Sequence, residues 1–112
     1  MLRGEIWFGV WPTDPDQKPR PLLIVSNNHR NQAANILDVT VVKLTSLQRR
    51  DSSSKPINPV EDFILKLKKS TIVRCAAIYS VEKAFLKNKV SQLSPEQMSE
   101  IDSRLKTVLD LH

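Results

Sequence analysis

Two glycines, Gly4 and Gly9, are all that 112 residues contain, so neither a phosphate-cradling P-loop nor a dinucleotide fingerprint can be built. One cysteine, Cys75, excludes an intrachain disulfide and is expected to be a small core residue in a reducing compartment. His29, Cys75 and His112 lack metal-ligand spacing, and a structural zinc site needs four ligands. No G-x-S-x-G elbow is present, and a catalytic dyad or triad would have to take His29 from a loop. No apolar run is long enough to cross a bilayer, and Met1-Leu2-Arg3-Gly4-Glu5 lacks the apolar segment of a signal peptide, so a cytoplasmic location is expected. An enzyme of this composition is expected to need no metal or other cofactor. It would work with Arg, Thr, Ser, Asp or Lys.

Apolar residues at 40% and charged residues at 26% fit a folded globular protein, and the length fits one domain over residues 1–112. Lys and Arg outnumber Asp and Glu 17 to 12, a net charge of +5. Such a balance points to a polyanion as partner, because each phosphate neutralised releases counterions.

The stretch with most to say is Lys18 to Asn27, K-P-R-P-L-L-I-V-S-N. Pro19 and Pro21 hold the backbone extended around Arg20, since proline fixes its own φ and pushes the residue before it out of the helical region. Arg20 is therefore presented at the mouth of Leu22-Leu23-Ile24-Val25, a run without polar alternation that suits a strand buried on both faces. Upstream, Gly4–Trp11 reads as a strand with Ile6, Phe8 and Val10 on one face and Trp7 and Trp11 on the other; the tryptophans are expected in the core or a dimer interface. Pro12–Gln17 reads as a polar turn leading to Arg20.

Downstream, Asn27–Asn35 reads as a loop and Ile36–Leu44 as a half-buried strand with Leu37, Val39 and Val41 inward, ending at Thr45-Ser46. Leu47–Pro59 is serine-rich and polar, the best candidate for a mobile loop, and carries Arg49 and Arg50. Strands are expected over Phe63–Leu67 and Thr71–Ala77, and a short helix over Val81–Lys89. Ser94-Pro95-Glu96-Gln97 is a capping-box start, followed at helical period by Met98, Ile101, Leu105, Val108 and Leu109. Short strands and one late amphipathic helix, without βαβ alternation, argue for a small β-barrel-like or α+β domain. Phosphoryl chemistry on RNA suits the residues available, because the 2′-hydroxyl is an internal nucleophile and the protein need only orient it, stabilise the pentavalent anion and move protons.

G-E-I-W, K-P-R-P-L-L-I-V-S-N, V-T-V-V-K-L-T-S and T-I-V-R-C occur in an order and spacing that resembles the MazF/PemK (Kid) family of toxin endoribonucleases over nearly the whole chain. The resemblance implies a mainly β fold, an SH3-like β-barrel of the CcdB/PemK type with a C-terminal helix, and a homodimer. It implies an antitoxin partner that occupies the RNA-binding surface. It further implies metal-independent, sequence-specific cleavage of single-stranded RNA by 2′-hydroxyl attack. Carried onto this chain, it makes Arg20 the arginine that stabilises phosphate charge and is a candidate proton donor, Thr45 the threonine that helps hold the scissile phosphate, and Arg74 the arginine used by PemK/Kid-type members. The first loop is shorter than the family's and has lost its glycine and Ser-Glu-Gln segment. Asp16-Gln17 is the candidate stand-in for its Glu-Gln, so that Asp16 or a backbone-positioned water is expected to handle a proton, and Lys18, Ser46, Arg49 and Arg50 are the expected RNA contacts.

The chain departs from the family at Ala76, where PemK/Kid members carry an acidic residue two positions after the arginine, and at Ala77, where many members have Gln. Residues i and i+2 share a strand face, so Ala76 is expected to remove a carboxylate from the side of Arg74. Two other functions compete: a catalytically eroded member that binds RNA or antitoxin without cutting, and a CcdB-like gyrase inhibitor. The ending Leu109-Asp110-Leu111-His112 lacks the aromatic residues the latter uses.

Overall fold

A computed structural model describes residues 1–10, 13–46, 57–66 and 70–111. Its strands are β1 (Glu5–Val10), β2 (Pro19–Ile24), β3 (Asp38–Ser46), β4 (Asp62–Lys66), β5 (Ser70–Glu82) and β6 (Lys89–Gln92), with helices α1 (Asn28–Gln32) and α2 (Pro95–Leu109). All six strands form one antiparallel sheet in the order β4-β5-β3-β2-β1-β6. The fold is mainly β with a C-terminal helix.

Strand alternation gives the sheet two apolar faces. On one, Ile6, Leu23, Val42, Leu44, Val73 and Cys75 meet Met98 and Ile101 of α2. On the other, Leu22, Ile24, Val39 and Val41 gather with Val81 and Leu86. Leu22, Leu23 and Ile24 are fully buried, as expected of a strand covered on both sides, and Trp7 lies on the face opposite Ile6. Trp11 lies outside the described residues. Helix α2 begins as its sequence predicts: the Ser94 side chain accepts the Gln97 amide and the Gln97 side chain accepts the Ser94 amide.

Three elements differ from the sequence expectation. Asn27–Asn35 contains the short helix α1, capped by Asn27 accepting from the Arg30 amide, and Lys83 donates to the carbonyls of Arg30 and Ala33 at its end. Val81–Lys89 is not a helix of that length: β5 runs on to Glu82, a 3-10 turn spans Lys83–Phe85, and β6 begins at Lys89. Pairing with β3 as far as Asp38↔Glu82 holds the chain extended into the stretch where a short helix is expected. Leu37 precedes β3 and is 73% exposed, so it does not join Val39 and Val41.

Candidate active site

Strand β2 pairs with β1 from Pro19 to Leu23, but with β3 only from Leu22 to Ile24. Pro19 and Pro21 lack the N–H that a ladder on both sides would use, so β3 leaves β2 beyond the Leu22↔Lys43 pair and continues against β5 alone. Arg20 stands on one strand of this divergence, opposite Gly9, and Thr45 on the other, opposite Ile72. Directly opposed residues share a face, and faces repeat every two residues. Arg20, Lys43, Thr45, Arg74 and Asp62 therefore share the face opposite α2. Two strand spacings and two residues along the strands put the Cα atoms of Arg20 and Arg74 about 12 Å apart, with Lys43 between them.

Each arginine is held by a buried aspartate. Arg20 Nε donates to Asp14 Oδ2 at 2.6 Å, and its Nη2 lies 3.7 Å from Asp16 Oδ2. The Asp14 side chain is 6% exposed, against 60% for Asp16. The turn that brings Asp14 there is tied by its own carboxylate, which accepts the Asp16 amide, and by its carbonyl, which accepts from the Gln17 amide and side chain; Gln17 adopts a left-handed backbone. The hydrogen bond from Arg20, with the Asp16 amide, holds the Asp14 carboxyl below the ordinary carboxylate range, and Asp14 in turn raises the proton affinity of Arg20. Asp14 is thus a fixed anion and Arg20 a permanent cation.

Asp62 and Thr45 are among the groups that hold Arg74. Its Nη1 donates to Asp62 Oδ2 at 2.7 Å and its Nε to Thr45 Oγ1 at 3.3 Å. Asp62 is the residue directly across β4–β5 from Arg74. The ladder with β3 is interrupted beside it, because Cys75, Ala76 and Ala77 intervene between the partners of two consecutive β3 residues, Lys43↔Arg74 and Val42↔Ile78. In this bulge Ala76 is exposed, while Ala77 packs against the second apolar cluster.

Of the residues proposed from sequence, Arg20, Thr45, Arg74 and Asp16 come to one face or its rim. Lys18 is exposed just before β2. Ser46 is exposed on the face opposite Thr45, so it does not join that group. Arg49 and Arg50 lie outside the described residues. Lys43, Asp14 and Asp62 were missed. Lys43 was legible as the residue two before Thr45, and Asp14 as the first acid of the turn; Asp62 had no local signal. Among the described residues, no three His, Cys, Asp or Glu side chains gather in a way that could hold a metal ion.

A family model described as PemK-like, MazF-like toxin of type II toxin-antitoxin system matches residues 2–109. No curated protein matches the sequence significantly. Among solved structures, an endoribonuclease in complex with its cognate antitoxin, from a mycobacterial species, aligns with a TM-score of 0.77 at 26% identity, covering 100% of this chain and 97% of that one. A second mycobacterial endoribonuclease aligns with a TM-score of 0.68 at 28% identity, over 99% of this chain and 92% of that one. The MazE–MazF structure from Deinococcus radiodurans, at 15% identity and a TM-score of 0.73 over 100% of this chain and 97% of that one, shares the fold.

Proposed function

The chain belongs to the PemK-like, MazF-like toxin family of type II toxin–antitoxin systems, and from that premise we propose that it is a metal-independent, sequence-specific endoribonuclease acting on single-stranded RNA. The observation that carries this is the polar band where β2 and β3 part, with Arg20, Lys43 and Arg74 on one sheet face and Thr45 hydrogen-bonded to Arg74. A phosphodiester seated there would have cations on both sides. The buried carboxylates are spent on the two arginines, a donor set suited to an anionic phosphate rather than to a divalent cation.

In the reaction, the 2′-oxygen attacks the adjacent phosphorus, the bond from phosphorus to the 5′-oxygen breaks, and a 2′,3′-cyclic phosphate and a 5′-hydroxyl result. Arg20 and Arg74 stabilise the negative charge that builds on the phosphoryl oxygens. Arg20, made a weaker acid by Asp14, acts through charge; the leaving oxygen takes its proton from water. Asp16, exposed at the rim and 3.7 Å from Arg20, is the carboxylate positioned to accept the 2′-hydroxyl proton. The protein works as a homodimer in the cytoplasm, and a cognate antitoxin covers this face when cleavage is held off.

Incubation of purified, antitoxin-free protein with long single-stranded RNA in EDTA, followed by end-group analysis, tests this. Discrete fragments with 5′-hydroxyl ends, absent with Arg20→Ala, are the expected result. A second reading, a family member that binds RNA without cutting it, is favoured by Ala76 and Ala77, neither of which offers a polar side chain. Intact RNA bound to folded dimer would establish it instead.

A further inference from the structure

Asp62 meets three separate elements. Its Oδ2 accepts Arg74 Nη1 from β5 at 2.7 Å and the Asn58 amide at 2.9 Å, and its carbonyl accepts Arg104 Nε from α2 at 2.9 Å. Arg104 is itself held, with its guanidinium over the Phe63 ring at 5.1 Å and an ion pair to Glu100. The Asp62 amide closes back on the Asn58 carbonyl, so the carboxylate is fixed by main chain on both sides. Its side chain is 4% exposed and that of Arg74 16%. A largely buried ion pair orients its members more strictly than a surface pair, because the Asp62 carboxylate has almost no solvent as an alternative partner and Arg74 has little.

We propose that Asp62 is a positioning residue of the RNA-cleaving site. It supplies from β4 the carboxylate that Ala76 does not supply from β5, and it holds Arg74 with Nε on Thr45 and Nη1 on the carboxylate. The proposal rests on the ribonuclease reading above. A guanidinium held at both Nε and Nη1 has less freedom to rotate about its last side-chain bonds than one that has lost the Nη1 contact. The same oxygen also holds Asn58, so the chain leading into β4 and the arginine share one anchor. Asp62 needs no contact with RNA for this role: its effect reaches the phosphate through Arg74.

The test is steady-state cleavage of one RNA in EDTA, giving kcat and KM, by wild type, Asp62→Asn, Asp62→Ala, Arg74→Ala and the double variant Asp62→Ala/Arg74→Ala, each checked for folding by thermal melting. A small displacement of a charge-stabilising group costs about 10²-fold in rate. Asp62→Ala is therefore expected to lower kcat by about that factor with little change in KM. Asp62→Asn, which keeps an oxygen for both hydrogen bonds and loses the charge, should fall between it and wild type. In the Arg74→Ala background, Asp62→Ala should cost nothing further. A purely structural role would lower the rate by the same factor in both backgrounds, and that outcome overturns the proposal. So does a cleaving wild type whose kcat is untouched by Asp62→Ala. A wild type that leaves RNA intact removes the premise, and the proposal with it; the wild-type lane tells that failure from the others.

Discussion

Replacing Arg20 by alanine should change the salt dependence of RNA binding by an amount that can be worked out in advance. Binding to single strands weakens with a slope of about −0.7 in log K against log salt for each phosphate neutralised. If Arg20, Lys43 and Arg74 each meet one phosphate, the slope is about −2.1, and a fourfold rise in salt weakens binding about 18-fold. Without Arg20 the slope falls to about −1.4 and the same rise costs about 7-fold. Further contacts would steepen both lines alike, so the ratio of the two losses stays about 2.6. The assay is fluorescence anisotropy with an RNA carrying 2′-deoxyribose at the cleavage position, which removes the nucleophile and keeps the phosphates. Arg20→Ala also strips Asp14 of its main hydrogen-bond donor and leaves an extra negative charge beside the RNA. The double variant Asp14→Asn/Arg20→Ala removes that charge and should show the same slope with a smaller loss of affinity. Parallel lines for wild type and Arg20→Ala would mean that this arginine never meets the backbone, and would refute the reasoning.

Three further outcomes follow from individual contacts. Because the folded pKa of Asp14 is lowered, the stability it contributes is present above its ordinary value of 3.8 and is lost as pH falls through the lowered value; denaturant titrations should therefore show wild type and Asp14→Asn converging in strongly acidic solution and differing at pH 7. Ser94→Ala removes the acceptor for the Gln97 amide and should cost about 1 kcal/mol, lowering Tm by roughly 4 °C, with RNA cleavage at 25 °C unchanged because α2 lies on the other sheet face. Cys75 is fully buried, and burial pushes its thiol up to about 11, so a thiol reagent at pH 8 should label it only as fast as the protein opens, and at once in denaturant.

What the sequence made legible is what neighbouring residues decide among themselves. Ser94-Pro95-Glu96-Gln97 starts α2 through contacts made within four residues. Pro19 and Pro21 force an extended Arg20 by steric contact with adjacent backbone alone, and the same missing N–H groups sit where β3 departs from β2. The residues that went unread depend on register between distant segments. Helix α1 has a cap in Asn27 but no apolar period, and the lysine bonded to its last turn comes from some fifty positions away.

Asp62 is the sharpest case. From local sequence it is one acid in a polar stretch before a strand, and only the antiparallel pairing of β4 with β5 sets it against Arg74. The pairing of β5 with β3 also breaks at the residue after Arg74, and Ala76 stands exposed in the bulge. A carboxylate can thus leave one strand and be supplied by its neighbour while the arginine keeps an ion pair. An alanine at a position where relatives carry an acid is therefore weak evidence of a dead site until the opposite strand has been read. Arg74 retains a buried carboxylate within 2.7 Å, and on that ground the cleaving enzyme is the reading to test first.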